Sequence, residues 1–216
     1  MTSRMKHARK NRRGARVPFL AAALGVAACM TLSMWAMAAV PDARAFVETL
    51  GGRVIGILKT PHIDTTERER RFHALFLADF DAPAIGRFVL GAEWRALKPD
   101  QRTQYLQLFG DYVASIYAVQ FAHYSGEKLE VTGETKQGDD TFVETRIDRP
   151  SEQPLDVVYR VRDEANSPKI VDVTVDAVSL IVTKRAEFAS VIQHYGFDGL
   201  MQRMRAAVQR TQSNKS

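Results

Sequence analysis

The chain has 216 residues, which suffices for one domain and a targeting segment, and its single cysteine, Cys29, excludes an internal disulfide. Eight of the 30 Lys and Arg but only one of the 25 Asp and Glu lie in residues 1–45, which leaves 22 cations and 24 anions, a net charge of −2, in residues 46–216. Because nucleic-acid-binding domains carry a positive excess, this balance argues against that class of function.

The first 45 residues have the pattern of an export signal. Seven cations and no anion in the first sixteen residues are followed by 24 uncharged residues, Val17–Val40. Cleavage after Ala36-Met37-Ala38 or after Ala43-Arg44-Ala45 would suit the small residues there, and we favour the second because Phe46 begins the next helical pattern. The apolar run is also long enough to span a bilayer, so an uncleaved inner-membrane anchor is the alternative. Either way, we predict that the rest of the chain lies outside the cytoplasm.

Residues 46 to about 123 show the apolar periodicity of helices. A first helix is predicted to end at Pro61, and Asp64 with Glu67 is predicted to cap the start of a second one. A short helix is predicted for Ala84–Leu90, before Gly91. Pro99 is predicted to open a long helix that continues to about His123.

After Gly126 the apolar period changes to two, which indicates strands. One face of each strand is apolar and the other mostly polar, as in an antiparallel sheet with one side in water. We therefore predict an α+β fold for residues 46–210, in which N-terminal helices and two C-terminal helices pack on the apolar face of a four-stranded antiparallel meander, with a polar tail at 211–216. The predicted strands lie around Leu129–Val131, Val143–Ile147, Leu155–Val161 and Ile170–Val178, and the last helices are Leu180–His194 and Phe197–Arg210, separated by Gly196.

No motif for catalysis or for a metal or other cofactor is present in the sequence. It has no phosphate-binding loop, no nucleophile elbow and no paired-histidine zinc motif. Asp139 and Asp140 beside Gly138 are interpreted as turn formers. Asp172 and Asp176 are predicted to face water, on the strand side opposite the valines. We therefore predict that the chain is not an enzyme and that it uses no cofactor.

Several segments, in order, resemble the MlaC/toluene-tolerance family of periplasmic phospholipid-binding proteins. In the first half these are Phe80-Asp81, Arg87-Phe88-Val89-Leu90-Gly91, Trp94-Arg95 and Pro99-Asp100-Gln101-Arg102. In the second half they are Lys169–Val175, Val178-Ser179-Leu180 and Lys184–Phe188. Tyr124-Ser125-Gly126-Glu127 is similar to the hopanoid-associated subgroup of that family. Two positions depart from the family pattern, since Ala177 stands where the family usually has glycine and Pro168 where it often has tryptophan.

The resemblance implies a carrier that moves a phospholipid, or a hopanoid-type polyisoprenoid lipid, between membranes. It further implies, as partners, an inner-membrane ABC transporter complex with an MCE protein and an outer-membrane lipoprotein–porin complex, in a system that maintains outer-membrane lipid asymmetry. The alternatives are a non-carrying adaptor with a filled core and a small isomerase-like enzyme with a buried acid–base pocket.

On this interpretation a lipid cavity lies between the sheet and the helices. Its predicted sheet wall comprises Val131, Val143, Ile147, Val157, Tyr159, Val161, Val173 and Val175. Its predicted helical wall comprises Phe88, Phe109, Val113, Ile116, Tyr117, Phe121, Phe188 and Ile192. Three arginines are predicted to contact a head group or a partner protein, namely Arg87, Arg95 and Arg185.

Overall fold

The computed structural model describes residues 42–120, 126–164 and 167–213. Five helices precede the sheet: α1 (Ala43–Leu58), α2 (Thr65–Asp79), α3 (Ala82–Leu90), α4 (Glu93–Ala96) and α5 (Pro99–Gln120). The strands are β1 (Lys128–Gln137), β2 (Asp140–Asp148), β3 (Leu155–Glu164), β4 (Ser167–Val175) and β5 (Val178–Ser179), and α6 (Leu180–Ser213) follows them. The predicted α+β class is confirmed, with one short strand more than expected. The predicted export segment up to residue 41, Phe121 and the residues Tyr124-Ser125 of the predicted subgroup motif lie outside the described residues.

Aspartates begin three of the helices. The carboxylates of Asp42, Asp64 and Asp81 accept hydrogen bonds from the backbone N–H three residues on, at 2.7, 2.8 and 2.9 Å. Glu67 does not complete the predicted reciprocal cap, because its carboxylate binds Arg70 and Arg71 instead. Hydrogen bonds from these two arginines lower the pKa of Glu67 to about 2.

The sheet is an antiparallel meander in the order β1-β2-β3-β4-β5. Its apolar face carries one row that crosses all five strands, in which Val131 pairs with Thr145, Thr145 with Val157, Val157 with Val175 and Val175 with Val178. The hydroxyl of Thr145 donates to the carbonyl of Val157 at 2.9 Å, so the polar member of the row is satisfied within the sheet.

The core has two clusters that share Phe80. The first lies among the helices and is centred on Phe109, Phe188, Leu200 and Met204, with further members from α2, α3 and α5. The second lies between α1 and the sheet, where Phe46, Val47 and Leu50 pack with Val143, Val161 and Ile170. Helix α1 therefore covers part of the apolar face, in agreement with the prediction that N-terminal helices pack there, and it buries residues that were predicted to line the cavity.

Helix α6 changes direction at Gly196, whose backbone is non-helical at φ 69° and ψ 178°. That conformation is accessible essentially only to glycine. It divides α6 into the two C-terminal helices that were predicted. The second half packs on the helical cluster, and Phe197 lies 6.3 Å from the ring of Tyr105.

Two aspartates on the outer face of the sheet make side-chain contacts that the sequence did not indicate. Asp140 is buried and accepts from the Nε atoms of Arg160 and Arg162, at 2.7 Å each. Asp172 is half-buried and accepts from Ser179 Oγ at 2.7 Å, which ties β4 to β5. Asp140 does close the predicted hairpin turn, opposite Gln137, but its ion pairs with Arg160 and Arg162 were not predicted. The prediction that Asp172 faces water was wrong. Asp176 is exposed, as predicted.

Candidate functional site

Helix α5 stands apart from the sheet in the part of the chain that the structure describes. The helices that pack closely on strands are α1, α2, α3 and α6, whereas α5 packs on α2, α3 and α6. The predicted cavity lies between α5 and the sheet, so the surroundings of its lining residues decide where a ligand would fit.

Part of the predicted helical wall is filled by protein. Phe109 and Phe188 are each 2% exposed and meet edge to face with ring centroids 6.4 Å apart. Val113 and Ile192 pack against the same cluster. These four side chains contact other helices.

Part of the predicted sheet wall packs under α1. Val143 and Val161 are buried in the second cluster, and Val131, Tyr159 and Val173 pack against that cluster. The neighbours of these residues include the apolar side chains of α1, so a ligand would reach them only at the border of the cluster.

Six of the predicted lining residues that the structure describes belong to neither cluster. Phe88 is one of them, and we call the other five the α5–sheet site. Ile116 and Tyr117 come from α5, and Ile147, Val157 and Val175 come from β2, β3 and β4. Val157 is 3% exposed and the other four are half-buried.

Tyr117 on α5 lies close enough to Tyr159 on β3 to affect its titration. Burial, with a smaller contribution from Tyr117, raises the pKa of Tyr159 to about 12. The second half of α5 therefore faces the sheet where Tyr159 meets the α5–sheet site.

Two clefts lie between α5 and α6. One, of about 250 Å³, includes Gln101, Phe197 and Arg205 in its lining. The other, of about 190 Å³, includes Tyr112 and Glu187 in its lining. Ligand pockets usually measure about 300–1,000 Å³, so each cleft is too small for a two-chain lipid, and neither is lined by a strand residue.

The three predicted arginines lie on the helical layer. Arg87 is 6.0 Å from the ring of Trp94, and Arg95 is exposed on α4. Arg185 donates to the carbonyl of Phe88 at 2.9 Å, and its guanidinium lies 4.8 Å from the Phe88 ring. Phe88 is 40% exposed and belongs to neither described cluster, so the structure does not group it with the α5–sheet residues.

Sequence reasoning missed Lys184. It lies on α6 between Ile181 and Phe188, both of which pack in the helical cluster, and its side chain is 29% exposed. Burial disfavours its charged form, but hydrogen bonds to Glu187 and Tyr112 outweigh that effect and hold the pKa of Lys184 above its ordinary value. A lysine at helical spacing within an apolar stripe was the signal that could have identified it.

Comparison with known proteins gives a family match over most of the described chain. The family described as MlaC protein matches residues 48–206. The intermembrane phospholipid transport system binding protein MlaC of Haemophilus influenzae is 23% identical over 124 residues, which are 55% of this chain and 58% of that protein. The match thus spans less than two thirds of that relative.

A solved structure shares the fold. The phospholipid-binding protein from Ralstonia solanacearum, determined in complex with a phospholipid, superposes with a TM-score of 0.69 at 22% identity. The superposition covers 79% of this chain and 99% of that one.

Proposed function

The chain belongs to the MlaC family, and on that premise we propose that it is a periplasmic lipid carrier that binds the acyl chains of a phospholipid in the α5–sheet site. The names of the Haemophilus and Ralstonia relatives, which refer to phospholipid transport and phospholipid binding, support this function. The folded part of the chain needs no catalytic group for such a task.

The physical requirement for a carrier follows from the cost of exposing hydrocarbon to water. Burying one methylene is worth about 0.8 kcal/mol, so two acyl chains with about thirty methylenes resist entering water by roughly 20 kcal/mol or more. A protein that surrounds those chains with apolar side chains offsets most of this cost. A site of this kind discriminates among lipids mainly by the size of their hydrocarbon part.

One observation carries the proposal. The row Val157–Val175–Val178 begins with a side chain that is 3% exposed and ends with one that is 55% exposed. It is a continuous apolar strip from the interior to the sheet edge at β5. An alkyl chain that follows these three valines would pass from the protein surface to the α5–sheet site and would meet only apolar side chains of the strip.

The partners of the carrier and the identity of its cargo are further parts of this proposal. We propose delivery between an inner-membrane ABC transporter complex with an MCE protein and an outer-membrane lipoprotein–porin complex, as part of the maintenance of lipid asymmetry. Arg87, Arg95 and Arg185, which lie on the surface of the helical layer, are proposed contacts for these partners or for a head group. A hopanoid is the alternative cargo.

A non-carrying adaptor is the second candidate function. The observations that favour it are the filled clusters around Phe109 and Val143 and the small volumes of the two clefts. No described helix combines the length and apolar character needed to cross a bilayer. An adaptor would bind partners without retaining lipid, so lipid binding separates the two candidates.

Ile116→Trp tests the site directly. The indole would occupy the space between α5 and the sheet, and overpacking of this kind costs about 1–3 kcal/mol, so phospholipid uptake from vesicles should weaken by about tenfold or more. The matched control is Val119→Trp, since Val119 lies one turn further along α5 and is 51% exposed. Equal uptake by both variants, with both folded by circular dichroism, would place the lipid elsewhere.

A further inference from the structure

Helix α6 presents an exposed aromatic ring beside an arginine. Tyr195 lies immediately before the change of direction at Gly196, and its side chain is 60% exposed. The guanidinium of Arg203 lies 3.9 Å from the centre of the Tyr195 ring. Stacking of this kind holds both side chains in place before any partner arrives. Tyrosine and arginine are also among the residue types that contribute most to binding at protein interfaces.

Arg203 connects this ring to an adjacent cleft. It belongs to the lining of the cleft of about 190 Å³ between α5 and α6. The apolar part of that lining comes from both halves of α6 and consists of Phe188, Val191, Leu200, Met204 and Ala207. The volume is below the usual range for small-molecule sites. A single apolar side chain of a protein partner is an occupant of suitable size.

The charged side chains around this cleft are mainly positive. Arg203 and Arg210 belong to its lining, and both are exposed. Glu187 also belongs to the lining, but its carboxylate already forms an ion pair with Lys184. Residues 199–213 contain three arginines and no Asp or Glu, so no acid of that segment offsets the positive charge. A carboxylate, which accepts hydrogen bonds well from a guanidinium, would complement this charge.

We propose that Tyr195 and this cleft together dock a protein segment in which an apolar side chain lies next to Asp or Glu residues. The apolar side chain fills the cleft, and the neighbouring carboxylates bind Arg203 and Arg210. The ring of Tyr195 packs against the same segment. The inference goes beyond the proposed function, because it concerns a protein partner and requires no lipid in the α5–sheet site.

The shape of this surface favours a protein segment over an anionic membrane. A helix that binds a membrane surface inserts its apolar side chains among the acyl chains. Here Phe188, Leu200 and Met204 are at most 2% exposed and lie within the cleft, so they cannot insert into a membrane. They can only receive a side chain that projects from the partner.

Selection from a displayed library of random peptides, with the full-length protein as target, tests the inference. We expect the selected peptides to share an apolar residue adjacent to Asp or Glu, and a synthetic copy to bind in solution. Ala207→Trp, which fills the cleft, should weaken that binding by about tenfold or more. Arg203→Glu should weaken it similarly and, in a second selection, should replace the preference for Asp or Glu by one for Lys or Arg. Arg205→Glu makes the same change of charge at a residue that lines the other cleft, so it is the matched control and should retain most of the affinity.

Several results would overturn the inference. A selection that enriches no sequence would do so, and so would peptides that bind Ala207→Trp and Arg203→Glu as well as the unaltered protein. Equal losses for Arg203→Glu and Arg205→Glu would show an effect of net charge alone. Binding to phosphatidylglycerol vesicles that Arg203→Glu abolishes, with no binding of the synthetic peptide, would assign the surface to membranes instead. Phospholipid uptake tests the carrier proposal separately, since Ala207→Trp should take up lipid normally and a protein that takes up none would still bind the peptide.

Discussion

At the residue scale, the turn before β5 explains one departure from the family pattern. Asp176 and Ala177 both have positive φ, at 47° and 64°. This region is unfavourable for residues that have a Cβ atom and open to glycine. The glycine that the family usually has at position 177 therefore suits the turn, and this chain keeps the turn at a cost in strain.

Ala177→Gly should stabilise the protein. We expect the free energy of unfolding to rise by about 0.5–1 kcal/mol, because relief of the left-handed strain exceeds the extra backbone entropy of glycine in the unfolded chain. Urea denaturation measures this change. Ala189→Gly, at an exposed helical position of α6, is the control and should lower stability by about 1 kcal/mol. A fall in stability for Ala177→Gly would contradict the account of the turn.

Other residues could not be understood from the sequence because their partners are distant in the chain. The carboxylate of Asp140 meets Arg162, 22 residues on, only because β2 and β3 adopt one particular register. Lys184 meets Tyr112 across two helices. Residue types and spacing within one element do not specify such pairs.

At the element scale, helices and strands were predictable where local signals are strong. The Asp64 cap marked the start of α2, and alternation marked β1 to β4. Helix α4 and strand β5 were missed because four residues and two residues are too short to show a period. Periodicity also shows which side of α1 is buried but not which sheet residues it covers, so the burial of Val143 and Val161 under α1 was not predicted.

The start of α1 bears on where the predicted export signal would be cut. Asp42 caps the helix, and Ala43 packs against the second core cluster, which lies between α1 and the sheet. Arg44 Nη1 donates to the carbonyl of Val131 at 3.3 Å. Cleavage before Phe46 would remove all three contacts, of which the cap alone is worth about 1 kcal/mol. We therefore propose cleavage after Ala36-Met37-Ala38 instead of the later position.

N-terminal sequencing of the exported protein checks this proposal. Cleavage after Ala38 predicts a mature chain that begins at Ala39. A first residue of Phe46 would contradict it, and so would recovery of the uncleaved chain from the membrane.

At the scale of the whole molecule, the fold and family follow from the sequence more completely than the site does. Sixteen lining residues were predicted from the parity of strands and the period of helices, which identify the inward side of each element. In the structure, the residues on these inward sides are divided among the helical cluster, the cluster between α1 and the sheet, and the α5–sheet site. This division depends on how layers of side chains meet, and the sequence pattern does not contain it.

The central claim is that the acyl chains of a bound lipid pack against the apolar side chains between α5 and the sheet. Native mass spectrometry of full-length protein, purified without detergent from a bacterial host, measures this most directly. The account predicts an added mass equal to one phospholipid per chain, lost on extraction with organic solvent and reduced in Ile116→Trp. Protein that carries no lipid in repeated preparations, and takes none up from phospholipid vesicles, would contradict it.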